Sequence, residues 1–300
     1  MTILALSSPN TACITIPSDF AAGNAVVCTV PAASTQIQLY DSSFSGKKVN
    51  ETNKETSKED IEKKYQEVIA ELQKHKRTAY LPILKNNQKT FSTDTKYGGY
   101  PYLRNENDWP TCENCKKHMP LFLQLNLNNL PVNKEDGLIQ LFYCTNEEEN
   151  CESELEAFFH FSKATACRKI KIENKSAEIQ PNCKDIFDEK IIIDWEPKED
   201  YPHFEDYPIL NCTVDVDEVY ELMEERNMGQ TIAEDKLFGW PYWVQSEEYP
   251  YDRKTNTRME LLFQIGESEN IPYMFGDAGI GHLTQSPDND EELTFGWACS

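Results

Sequence analysis

Leu121, Leu123, Leu125 and Leu127 alternate with Phe122, Gln124, Asn126 and Asn128. A period of two predicts a strand with its leucine face turned inward. Segments 137–144, 158–161, 191–195 and 293–299 are predicted as further strands. The period becomes helical twice. Ile61, Tyr65, Val68, Ile69 and Leu72 follow a cap at Ser57 with Asp60 three residues on, and Lys74, Lys76 and Arg77 suit the last turn. Val216, Val219, Tyr220 and Met223 form a second stripe after Asp215, with Glu218 at capping spacing and Gly229 placed to end it. Gly98-Gly99 and Gly276-Asp277-Ala278-Gly279 mark turns. Strands outnumber helices, so the expected class is α+β, β-rich with few helices, rather than a doubly wound parallel sheet.

The pattern also repeats. Gly99-Tyr100-Pro101-Tyr102 returns as Gly239-Trp240-Pro241-Tyr242, and Met119 to Leu125 returns as Met259 to Ile265, both at an offset of 140 residues. Trp109-Pro110 aligns with Tyr249-Pro250 at the same offset. A period this long is not a solenoid repeat; it predicts a duplicated module. The expected organisation is a low-complexity segment of disorder-prone composition at 1–56, a first module at 57–195, and a connector, helix and second module at 196–300. The Pro- and Asp-rich stretch 196–214 reads as the connector. Two such units are expected to pack face to face. Gln124 and Gln264 hold equivalent places, and each is expected to satisfy its amide on a neighbouring loop backbone.

Composition narrows the function. The apolar share is 39%, but 14 Phe, 14 Tyr and 5 Trp can still build a core. No run of about 18 apolar residues predicts a transmembrane helix. The first residues lack the pattern of a signal peptide, so a cytoplasmic chain is expected. Its ten cysteines then read as thiols or metal ligands. The net charge of −22 falls entirely after residue 79. That charge opposes nucleic-acid binding and suits a basic protein partner, or serves solubility alone.

Cys112-x-x-Cys115 has the spacing of a metal knuckle, and Cys144 and Cys151 form a second pair. If strand 137–144 lies beside strand 121–127, the pairs meet. Four thiolates suit a closed, structural Zn²⁺ site. Four independent reduced thiols, or a redox dithiol at Cys112 and Cys115, are the alternatives. His118 could replace one cysteine. The second copy has Asp252 and Thr255 at the positions of Cys112 and Cys115, so the site belongs to one copy only. Asp277 and His282 could form an acid–base pair in a hydrolase-type enzyme, but no nucleophile with a positioned base accompanies them. P-loop, Gly-x-Ser-x-Gly and His-Glu-x-x-His patterns are missing from the sequence. A non-enzymatic protein is therefore expected.

Thr95 to Tyr102, Trp109-Pro110 and Leu121 to Asn126 resemble the YwqG family, as do Asp200 to His203, Leu262 to Ile265, Phe275 to Ile280 and Trp297 to Ser300. The first module is also similar to the N-terminal part of the programmed cell death protein 2 family, through Cys112, Cys115, Gln124, Cys144 and Cys151. The MYND-type zinc finger of some members of that family has no counterpart. These resemblances imply a duplicated β-rich fold. They imply a chaperone of a basic small-subunit ribosomal protein in ribosome assembly, or an immunity protein that binds a basic toxin.

Overall fold

In the computed structural model, residues 58–300 are described apart from 86–90, 133, 174–176, 178–181, 183–184 and 267–269, together with 11–12 and 30–31. The rest of segment 1–56 and the Ser57 cap lie outside the described residues. Within the unit Met1–Glu55, β1 (Thr11–Ala12) and β2 (Val30–Pro31) pair antiparallel. The second unit, Thr56–Ser300, carries everything else.

That unit begins with α1 (Lys58–His75), whose acidic first turn and basic last turn oppose the helix dipole. Tyr65, Val68 and Leu72 bury one face against Tyr201, Val219 and Met223. There follow β3 (Arg77–Lys85), β4 (Lys96–Tyr97), β5 (Leu121–Asn126), β6 (Leu138–Tyr143), the one-turn α2 (Cys151–Glu154), β7 (Thr165–Ile170) and β8 (Lys190–Asp200). A short 3₁₀ turn with Asp215 as its cap leads into α3 (Tyr220–Glu225), then β9 (Lys236–Leu237), β10 (Glu260–Ile265), β11 (Ile280–Gln285) and β12 (Leu293–Ala298). Ten strands form one antiparallel sheet in the order β12-β11-β10-β9-β3-β8-β4-β5-β6-β7.

The sheet is β-rich, barrel-like and nearly closed, with few helices. Its two outer strands, β7 and β12, approach each other. Lys169 on β7 pairs with Asp290 at 2.5 Å, just before β12. The core between the walls is aromatic: Phe122, Tyr143, Phe275 and Phe295 pack with ring centres 5.2–6.1 Å apart. Such rings offer large apolar areas and edge-to-face contacts.

Several predicted elements change. The two halves are not separate units: β3 and β8 join them edge to edge at the centre of one sheet, and their inner faces share the aromatic core. β5 is buried on both faces rather than one, so Gln124 and Asn126 are interior residues. Run 158–161 is not a strand. Phe161 has φ +61°, and the run is an irregular turn docked on β12, where the Phe158 carbonyl accepts from Trp297 N at 3.0 Å. The strand of that region is β7, whose Thr-Ala-Cys-Arg-Lys-Ile sequence has no strict alternation. The stretch after Trp195 continues β8 as far as Asp200, so the connector starts later than its composition indicates. Pro197 is tolerated there because, among the described residues, only β3 pairs with this strand past Ile192, leaving its other edge without a ladder to serve. Tyr220, placed in the buried stripe, is exposed.

Matching positions in the two halves make matching bonds. Gln124 Oε1 accepts from Tyr102 N at 3.0 Å, and its Nε2 donates to the Ser92 and Asp94 carbonyls at 2.9 Å. Gln264 Oε1 accepts from Tyr242 N at 2.8 Å, and its Nε2 donates to the Ile232 and Glu234 carbonyls at 3.1 and 3.0 Å. The three pairs of partners, like the two glutamines, differ by 140 in number. Two buried lysines also correspond. Lys96 binds Glu189 at 2.5 Å and Lys236 binds Asp200 at 2.9 Å, so one carboxylate comes from just before β8 and the other from its last residue.

Candidate metal centre

The loop between Thr111 and His118 is closed by a bridge between those residues. Inside it, Cys112 N donates to the Lys117 carbonyl and Lys116 N to the Cys112 carbonyl, with Lys116 at φ +60°. This tight turn is what the Cys-x-x-Cys spacing requires to aim two sulfurs at one point. Cys144 follows directly from β6, which pairs with β5, and its N–H is held by the Ala164 carbonyl at 2.9 Å. Cys151 opens α2 behind Asn150, whose φ of +49° turns the chain back.

The four sulfurs of Cys112, Cys115, Cys144 and Cys151 all lie within 4.8 Å of one another. Cys115 and Cys144 sulfurs are 3.8 Å apart, far beyond the ~2.05 Å of a disulfide. A tetrahedral zinc with bonds of about 2.3 Å places its ligand sulfurs about 3.8 Å apart, so the cluster fits such an ion. The donor set is entirely sulfur, which suits a soft, tetrahedral cation. The cluster could hold a metal ion. His118 is not among the donors: its ring stacks on Trp109 at 5.1 Å, and its Nδ1 accepts from Asn182 N at 3.2 Å.

The surroundings are arranged for thiolates. The Lys117 N–H points to the Cys115 sulfur, the Asn146 N–H to the Cys144 sulfur, and Asn114 Nδ2 lies 3.4 Å from the Cys151 sulfur. Donors aimed at sulfur stabilise negative charge and orient the ligand. Burial works to raise the Cys115 thiol, but the facing Asn146 amide, the Lys117 N–H and the other thiols bring it down to about 7. Burial pushes the Cys144 and Cys151 thiols up instead. Asn114, Asn146 and Asn150 belong to no motif of their own. Their position inside or just before the cysteine pairs is the only signal that marks them.

The second half builds the same loop without sulfur. Tyr251 and Arg258 make the matching bridge, and Asn256 has φ +58°. Asp252 stands at the place of Cys112, accepting from Lys254 N at 2.7 Å and Thr255 N at 2.9 Å. Ser286 follows β11 as Cys144 follows β6. Its hydroxyl, with the Thr255 and Lys254 N–H groups, holds the Asp252 carboxyl at about 2. Hydrogen bonds therefore close this loop, where thiols converge in the first half.

Asp277 and His282 are not brought together as an acid–base pair. Asp277 is exposed in its turn, where its carbonyl accepts from Ser300. His282 is buried on β11 against the Trp243 ring at 4.8 Å. Burial, with His160 and Lys236 nearby, lowers it to about 3. No helix among the described residues is long and apolar enough to cross a membrane.

No curated protein matches the chain. The family described as Domain of unknown function (DUF1963) matches residues 95–298, from β4 through β12 with all four clustered cysteines inside the match. The chain belongs to this DUF1963 family, the YwqG-like domain.

Proposed function

We propose that this protein is a non-enzymatic, cytoplasmic binding module that shelters a basic client, with a zinc ion stapling the first half of its sheet. The sulfur cluster carries this reading. Cys112, Cys115, Cys144 and Cys151 would fill all four positions of a tetrahedral ion, leaving none for substrate or water. Bound there, the ion supplies structure rather than reaction chemistry. It would tie the 112–118 loop to the end of β6 and the start of α2. The chain's own contribution is the set of N–H donors and the Asn114 amide that hold the sulfurs in place.

The paired bonds of Gln124 and Gln264 support descent of both halves from one copied unit, of which only the first keeps the sulfurs. The net charge of −22 supports a cationic partner, such as a ribosomal protein held before assembly. Elemental analysis of the purified chain tests the staple. One zinc per chain is expected, and Cys144→Ser is expected to lose it together with thermal stability. Metal-free protein with unchanged melting would overturn the staple. For the client, capture from the native cell at low and high salt is the test. A basic protein that dissociates as salt rises is expected, since screening weakens exposed charge attraction. Retention at high salt would remove the electrostatic basis.

A further inference from the structure

Beside the sulfur cluster lies a cleft of about 450 Å³. Its first wall is the acidic loop after β6 with the start of α2, carrying Asn146, Glu147, Asn150 and Glu152; its second is the loop of Tyr273 and Met274 from the other half. Cys144 and Cys151 reach its surface. No Lys, Arg or His lines it, so two carboxylates face it without a cation among the lining residues.

Three side chains there are set for a ligand. Asn146 is only 6% exposed; its amide faces the Cys115 sulfur, and its Oδ1 has no hydrogen-bond partner. A buried acceptor left in that state costs on the order of 1–3 kcal/mol. The Tyr143 and Tyr273 hydroxyls both donate to one oxygen of Glu152, Oε2, at 2.7 and 2.5 Å. This fixes the carboxylate while nothing among the described residues donates to its other oxygen. Met274, opposite, is 73% exposed.

We propose that this cleft binds an arginine side chain of a partner protein. The guanidinium is planar and carries five donors, which the free Glu152 oxygen and Asn146 Oδ1 can accept together. The aliphatic stem would cover Met274, and the Tyr273 ring offers a face to the cation. Pocket size argues against a bare ion, because the cleft falls in the range of small organic ligand sites. No third carboxylate, histidine or thiol joins Glu147 and Glu152 into a metal-type cluster among the described residues. The proposal rests on the basic-client reading and names the point at which the client is gripped.

The test uses the full chain as purified with its metal, titrated with the peptide Gly-Arg-Gly-amide. The same peptide with citrulline, a neutral isostere of arginine, is the control. Saturable binding of the arginine peptide is expected, weakened about tenfold or more by citrulline. Glu152→Gln is expected to weaken it similarly. Met274→Lys, a change at an exposed side chain that puts a fixed cation in the cleft, is expected to abolish it. Glu225→Gln on α3 is expected to leave it unchanged. Equal affinity for the two peptides, equal loss with Glu225→Gln, or undiminished binding by Met274→Lys would overturn the proposal. The two readings fail separately. A basic protein held equally by wild type and Met274→Lys removes the cleft and keeps the client. An arginine peptide that binds as expected, with no basic protein associating at low salt, keeps the cleft and removes the client.

Discussion

Gln124 shows how one interior polar residue can organise a fold. Its amide serves a backbone N–H and two carbonyls on loop segments that no ladder reaches, and Gln140 Nε2 adds a further donor to Oε1 at 2.8 Å. Gln124→Ala is expected to cost about 1–3 kcal/mol in urea unfolding, because the Tyr102 N–H loses its acceptor inside the protein. Gln264→Ala should cost a similar amount, through the same bonds at Tyr242. At the place of Gln140, opposite Gln264, β11 carries His282. Burial lowers His282 to about 3 and, with the charge of Lys236, His203 to about 4. The unfolded chain takes up these protons near pH 6.5, and the folded chain only at pH 4 or below. Stability is therefore expected to be full above pH 6.5 and to fall as pH drops from there towards 4, by up to about 1.4 kcal/mol per unit per histidine. Urea midpoints measured across that range check this. His282→Gln should flatten the slope, and an unchanged slope would mean that the histidine is already charged when folded.

At the level of elements, β8 is the strand on which both halves depend. Asp200 closes its C-terminal end with three interactions: Lys236 at 2.9 Å, Trp240 N at 2.7 Å and Ile232 N at 2.8 Å. Gly239 has φ +83°, and a Cβ there would lie 2.2 Å from Asp200 Oδ2, so only glycine lets the chain pass this carboxylate. Asp200→Asn is expected to destabilise the protein by about 3–5 kcal/mol, since it strands a fully buried ammonium. A loss below about 1 kcal/mol in urea unfolding would mean that Lys236 is neutral in the fold. The elements were legible where one periodicity acts alone. Alternating leucines announced β5, and the i, i+3, i+4 stripe announced α1. Legibility failed where tertiary context decides. Phe158 and Phe161 dock on β12 through Trp297 and Thr294 instead of extending. Pro197 disguised a strand as a linker, since its missing N–H matters only on an edge that is paired. The four cysteines were readable from their spacing because a tight loop and a paired strand leave few ways to place them. The Glu152 carboxylate beside them was not, because the Tyr273 hydroxyl that fixes it comes from a loop more than a hundred residues away in the chain.

For the whole molecule, one sheet ties both halves together. β3 and β8 run side by side from Arg77–Asp200 to Lys85–Ile191, with one flank of strands beyond each. The 56–300 unit is accordingly expected to melt in a single calorimetric transition, with calorimetric and van't Hoff enthalpies equal. Two separable transitions would show that the halves hold their structure alone. The charge belongs to this scale too: it falls on the sheet-bearing part of the chain, and under the proposed reading it would draw a cationic partner from a distance while the cleft beside the cysteines selects at contact. The 11-residue span of β8 has a further consequence. Glu189 immediately precedes it and Asp200 ends it, each reaching a different buried lysine. Inserting or deleting a single residue between them would shift one carboxylate by about 3.3 Å and turn it to the opposite face. Surface loops can lengthen freely under evolution; this strand acts as a ruler whose length cannot drift.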